Sequence, residues 1–193
     1  MIAEEIEGLT DEQLDFDSDK WGWSEWSIRR NVSHMASGDF RWLLRRWGEI
    51  LFPQGFPAIA DLDSILSAKF DRRLDENVYW QIEDIMGVLR RALDLSWSIL
   101  SRENAGSLRA KEATCDISAL PWQEVHPNGL RVDSAGPTQA HVSLEATFRH
   151  RWFEYITHLY NIQRLKKAQG LTAKVNIPFK GYWSAKDWDR SEP

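Results

Sequence analysis

A chain of 193 residues is long enough for one domain with a substantial core and too short for two large ones, so residues 1–193 are read as a single domain. Hydrophobic residues at 42% and charged residues at 27% lie in the globular range and exclude an intrinsically disordered chain. A formal charge of −5 supplies no general attraction to a polyphosphate backbone, and the pairs Arg29-Arg30, Arg45-Arg46 and Arg90-Arg91 read as solvated helix faces, so nucleic acid is not an expected partner.

The N-terminus is acidic from its fourth residue and carries neither a basic nor an apolar signal region. No window approaches the run of about 18 apolar residues that a membrane span needs. The single cysteine, Cys115, cannot form an intrachain disulfide, and nothing in the sequence marks it as an activated nucleophile. These features lead to the expectation of a cytoplasmic protein away from membranes.

Helical periodicity dominates. A short helix is expected over 3–14. A long one runs over 26–51, where Ile28, Val32, Met35, Leu43, Leu44, Trp47, Ile50 and Leu51 recur at three- and four-residue spacing until Pro53 and Gly55 end it. A second short helix is expected over 61–74, capped by Asp61 or Asp63. The pattern returns over 77–101 through Val78, Ile82, Ile85, Leu89, Leu93, Trp97 and Leu100. Residues 105–142, with Pro121, Pro127, Gly129, Gly136 and Pro137, read as a long crossover that can hold a small hairpin around Asn128-Gly129. The last long helix spans 144–169, entered through Ser143 as N-cap and left at Gly170 after Lys166 and Lys167. The tail beyond Leu171 holds Pro178, Gly181 and two tryptophans and is expected to pack irregularly. The sum is an all-α, up-down bundle with a long crossover before its last helix.

Eleven tryptophans are many for this length, and seven of them lie at or before Trp97. They supply aromatic anchors to a core, or line an apolar pocket or a dimer face. Five histidines carry the candidate chemistry. His150, Glu154 and His158 stand at i, i+4 and i+8 on one face of the last helix. Neighbours four apart rise about 6 Å and can share an ion, whereas eight apart is about 12 Å and too far. Either His150 with Glu154 or Glu154 with His158 therefore forms a pair, and a third ligand must come from another helix. His34, in the middle of the helix over 26–51, is the natural supplier.

Two stretches resemble the DinB/YfiT-like superfamily. Leu9-Thr10-Asp11-Glu12-Gln13-Leu14, followed by Trp26-Ser27-Ile28 and then His34-Met35-Ala36, is similar to that family's entry into its second helix, with the histidine eight residues after the tryptophan. His158-Leu159-Tyr160-Asn161-Ile162-Gln163-Arg164-Leu165, running on to Gly170-Leu171, is similar to its final helix. The resemblance implies a DinB-like four-helix bundle and a metal held by His34, Glu154 and His158. Glu154 stands where the family usually has histidine, and Asn161 where it usually has glutamine. Two histidines and a carboxylate suit Zn²⁺, Fe²⁺, Mn²⁺ or Ni²⁺ and leave positions open. The resemblance further implies a thiol-dependent transferase or isomerase that uses a low-molecular-weight thiol on a small-molecule substrate. It also implies a homodimer. A metal-dependent hydrolase and a non-catalytic helical dimerisation protein are the alternative readings.

Overall fold

The computed structural model describes residues 1–67, 69–116, 122–132 and 139–193. About 53% of it is helical. The helix expected over 3–14 is two short ones, α1 (Ile2–Ile6) and α2 (Asp11–Asp15), separated at Gly8, whose φ of +76° favours glycine. Thr10 opens α2 with a reciprocal cap: its side chain accepts from the Gln13 backbone, and the Gln13 side chain accepts from its own.

Helix α3 (Ile28–Phe40) starts two residues later than expected, at the Ser27 cap, because the Ser27 hydroxyl takes the Arg30 amide. It does not continue unbroken to 51. A π-helical turn over Arg41–Arg46 intervenes before α4 (Gly48–Leu51). The wider turn accommodates Trp47, fully buried, whose indole donates to the Thr147 hydroxyl at 3.0 Å.

Of the helix expected over 61–74, only α5 (Leu62–Ile65) forms. Asp61 occupies the cap position without capping: its carboxylate accepts from Arg91 and Tyr79 instead. The chain beyond α5 is held by side chains of α3 and the π turn rather than by a helical ladder. Ser33 takes the Leu74 amide, and Arg41 and Arg45 donate to the carbonyls of Ser67, Arg73 and Leu66.

Helix α6 (Ile82–Leu100) is the element expected over 77–101, shortened at its start, and α7 (Ala105–Ala110) follows behind an Asn104/Ser107 capping box. The all-α expectation fails in the crossover. Strand β1 (Glu112–Asp116), the short helix α8 (Trp122–Val125), β2 (Leu130–Val132) and β3 (Gln139–Ser143) build a three-stranded antiparallel sheet in the order β1-β3-β2. Asn128-Gly129 is not a hairpin turn but leads into β2, which pairs antiparallel with β3; the residues joining the two strands lie outside the described residues. The sheet's inward residues are small: Ala113 and Cys115 on β1, Ala140 and Val142 on β3. They alternate with outward ones as a half-buried strand requires, but carry a weak apolar signal. Pro121, Gly136 and Pro137 lie outside the described residues.

Helix α9 (Leu144–Ala168) runs as expected from the Ser143 cap to a left-handed Gly170, with the Leu171 amide returning to the Lys166 carbonyl. Helix α3 packs against both α6 and α9, and α1 and α2 add Ile6 and Leu14 to the shared core. The described residues thus hold the three long helices expected from periodicity, with shorter helical pieces and a small sheet beside them. Unusually, α9 buries polar side chains along much of its length, among them Thr147, His150, Arg151, Thr157, Gln163 and Arg164. The tail crosses back over it through Tyr182. No helix is long and apolar enough to cross a membrane, among the described residues.

Candidate metal centre

Helices α3 and α9 lie against each other so that His34 meets Glu154 and His158, the group expected from the sequence. His34 Nε2 stands 3.5 Å and His158 Nε2 3.6 Å from Glu154 Oε2, and the three ligand atoms fall within 4.8 Å of one another. These separations are long for N–H···O hydrogen bonds. The two histidine–glutamate separations lie close to the roughly 3.4 Å edge of a tetrahedron whose bonds are about 2.1 Å long. The side chains keep 8–17% exposure, so the group is recessed yet reachable from solvent.

One residue that the sequence reading missed decides how His158 presents itself. The Asn31 amide nitrogen donates to the backbone carbonyls of Trp26 (3.0 Å) and Ser27 (2.9 Å). With its nitrogen committed, its oxygen faces His158 Nδ1 at 2.7 Å and can only accept. His158 Nδ1 therefore carries a proton, and Nε2 is the ring nitrogen that faces Glu154. Orienting the second ring nitrogen through a hydrogen bond is how metal-bound histidines are commonly held. The available signal was spacing: Asn31 precedes His34 by three residues and shares its helix face.

Protonation states agree with a ligand role. Burial, only partly offset by the Glu154 carboxylate, lowers His34 to about 4, so its imidazole is neutral at physiological pH. Burial alone would raise the Glu154 carboxyl, but the His158 and His34 imidazoles beside it outweigh that and hold it well below the carboxylate range. A neutral His34 imidazole beside an ionised Glu154 carboxylate is a ligand pair in the forms that bind a divalent ion. His34 Nδ1 is buried without a hydrogen-bond partner.

Trp26 covers the group. Its ring lies nearly parallel to the His158 imidazole at 6.1 Å and tilted over His34 at 5.0 Å, and the Arg73 guanidinium stands 5.2 Å from its centroid. One turn along α9, Arg151 locks the two helices together. Its Nε donates to buried Asp39 at 2.6 Å, and Asp39 also accepts from Ser96 of α6. Burial works against the Arg151 charge, and the Asp39 carboxylate more than offsets this. The guanidinium lies on Gly38, where a Cβ would come within 2.0 Å of Nη2. Glycine is required there by close approach of α9 rather than by backbone conformation.

His150, the alternative partner of Glu154, is engaged elsewhere. Its Nδ1 lies 2.5 Å from the Tyr182 hydroxyl, which also meets His126 Nε2 at 3.1 Å. Burial lowers His150 to about 3 and His126 to about 4. His141 sits on β3, away from the metal group. Among the described residues, His34, Glu154 and His158 are the one cluster of histidine, cysteine and carboxylate side chains with metal-ligand spacing.

Comparison with family models, curated proteins and solved structures finds no match to this chain.

Proposed function

We propose that the chain is a DinB/YfiT-like metal protein in which His34, Glu154 and His158 hold one divalent transition ion, Zn²⁺, Ni²⁺, Fe²⁺ or Mn²⁺, and which uses a low-molecular-weight thiol to transfer or isomerise a small-molecule substrate. The observation that supports the metal is the convergence of His34 Nε2, Glu154 Oε2 and His158 Nε2, with His158 Nδ1 held by Asn31. The motifs Leu9–Ala36 and His158–Leu171 support the thiol-dependent class by resemblance.

When bound, a divalent ion supplies the means to bring a coordinated thiol or water toward neutral pKa. In this reading the three side chains are ligands rather than general bases. Asn31 keeps His158 Nε2 aimed at the centre. Trp26 shields one side from water, and the Arg151–Asp39–Ser96 chain holds α9 at a set distance from α3 and α6.

The test is elemental analysis of protein purified without chelator or histidine tag, beside His158→Ala. About one equivalent of a transition metal, lost in the variant, is expected. Turnover that requires added thiol then supports the transferase, and turnover without thiol assigns a hydrolase. No metal in either protein, even after reconstitution with Zn²⁺, Ni²⁺ and Mn²⁺, would leave a non-catalytic helical protein.

A further inference from the structure

The π turn sets Arg41 and Arg45 against the chain beyond α5. Their Nη2 atoms donate to carbonyls of that chain, Arg41 to Ser67 at 2.6 Å and Arg73 at 3.2 Å, Arg45 to Leu66 at 2.9 Å. The two guanidiniums are thereby anchored on adjacent residues. Arg41 Nε donates to the Ser37 hydroxyl at 3.2 Å, and that hydroxyl donates to the Arg72 carbonyl. Asp71 and Arg72 have left-handed backbone, at φ +47° and +62°. Residues with a side chain keep such backbone only where their surroundings hold it. The turn brings the Arg72 charge within reach of Arg41: burial first, and then the Arg45 and Arg72 guanidiniums, lower Arg41 to about 10. Asp71, 3.7 Å from Arg72 Nε, is the one carboxylate that opposes them. Arg30 and Arg73 nearby both meet Glu76. Arg41 and Arg45 form no ion pair among the described residues, although acidic residues outnumber basic ones by 29 to 24 in the chain.

We propose that Arg41, Arg45 and Arg72 form a binding site for a phosphate dianion, either inorganic phosphate or the phosphoryl group of a small phosphate monoester. Fastening the chain beyond α5 accounts for the Nη2 atoms and for Arg41 Nε. It leaves Arg41 Nη1 and the Nε and Nη1 of Arg45 without a partner among the described residues, and none of these atoms is sealed from solvent. Nor does it call for a third guanidinium. Three guanidiniums against one carboxylate leave an excess of two positive charges. A phosphate monoester brings close to two negative charges at neutral pH and three acceptor oxygens, whereas a carboxylate would meet half of the excess. Guanidinium forks suit phosphate oxygens in pairs. The carbonyl anchors already fix the Arg41 and Arg45 side chains, so little conformational freedom is lost on binding. None of the three arginines belongs to the candidate metal centre, so the site stands independently of the metal reading.

The experiment is isothermal titration calorimetry of the full chain at low salt and slightly alkaline pH, where phosphate is a dianion, with circular dichroism to confirm folding. The probes are inorganic phosphate, phenyl phosphate and acetate. One equivalent of phosphate or phenyl phosphate should bind, about tenfold or more tighter than acetate. Tighter binding of phenyl phosphate than of phosphate assigns a monoester, and binding no tighter assigns inorganic phosphate. Arg45→Gln and Arg72→Gln should each weaken phosphate by about tenfold or more. Arg41 is left in place because it anchors backbone. Arg90→Gln, which removes an exposed arginine of α6, should bind phosphate like wild type, and so should His158→Ala. Absence of saturable phosphate binding would overturn the proposal, as would acetate binding as tightly as phosphate, or Arg45→Gln or Arg72→Gln binding like wild type. A loss in Arg90→Gln equal to that in Arg72→Gln would reduce the effect to net charge. A loss in His158→Ala would place the phosphate at the metal centre. Either result also overturns the proposal.

Discussion

Replacing Asn31 by leucine, a residue of similar size, removes three hydrogen bonds at once: two from the amide nitrogen to the Trp26 and Ser27 carbonyls, and one from His158 Nδ1 to the amide oxygen. Each contributes about 1 kcal/mol net, and Asn31 is 1% exposed, so the metal-free protein should lose roughly 3 kcal/mol. The second effect separates a metal-site role from a structural one. Without Asn31 the His158 ring is free to adopt the other tautomer or to rotate, and Zn²⁺ affinity should fall by about 10- to 100-fold. Asn31→Asp keeps an acceptor opposite His158 Nδ1 while losing the two donors. It should therefore be destabilised yet bind Zn²⁺ within a fewfold of wild type. Urea unfolding of the metal-free proteins gives the first quantity, and competition with a chromophoric chelator gives the second. If Asn31→Leu is destabilised but its affinity equals that of wild type, the tautomer argument is wrong.

Two further expectations follow from residues around the centre. Gly38→Ala places a methyl 2.0 Å from Arg151 Nη2, and the guanidinium cannot withdraw without leaving Asp39 buried and unpaired. The variant should lose on the order of 3 kcal/mol or more by urea titration, and wild-type stability would show that α9 shifts freely. The pH dependence comes from His126 and His150, buried and lowered to about 4 and about 3. Below pH 6.5 the unfolded chain takes up protons that the fold refuses. Their contribution is complete above 6.5 and is lost as pH falls toward the folded values. Between pH 6.5 and 5, before most carboxylates titrate, this amounts to about 2 kcal/mol per histidine, with His34 adding the same sign in metal-free protein. A urea midpoint that stays level across that window would show that these imidazoles protonate within the fold.

How far the sequence reaches differs between elements for identifiable reasons. Helix α9 was legible at both ends because its signals are local: a serine cap at one end, and two lysines and a glycine at the other. The segment over 61–74 misled because its apolar spacing suits a helix, while Ser33, Arg41 and Arg45 take up the backbone groups a helix would have used. The sheet was hidden by its small inward residues, whose burial depends on the surfaces they pack against: Trp42 and Ala146 for Cys115 and Ala140, and the Leu43, Trp47 and Leu144 cluster for Ala113.

At the centre the division is similar. Spacing along one helix restricted Glu154 to a partner four residues away, and the position of His34 within a long amphipathic helix made it the candidate third ligand. Spacing alone left His150 and His158 equivalent. Tertiary structure separated them by bringing Tyr182 of the tail and His126 of the crossover to His150, and Asn31 of α3 to His158. Periodicity and capping are written along the chain because they act between residues a few positions apart. The choice between two histidines on one helix face depends on groups as much as 127 residues away in sequence, and only packing brings those together.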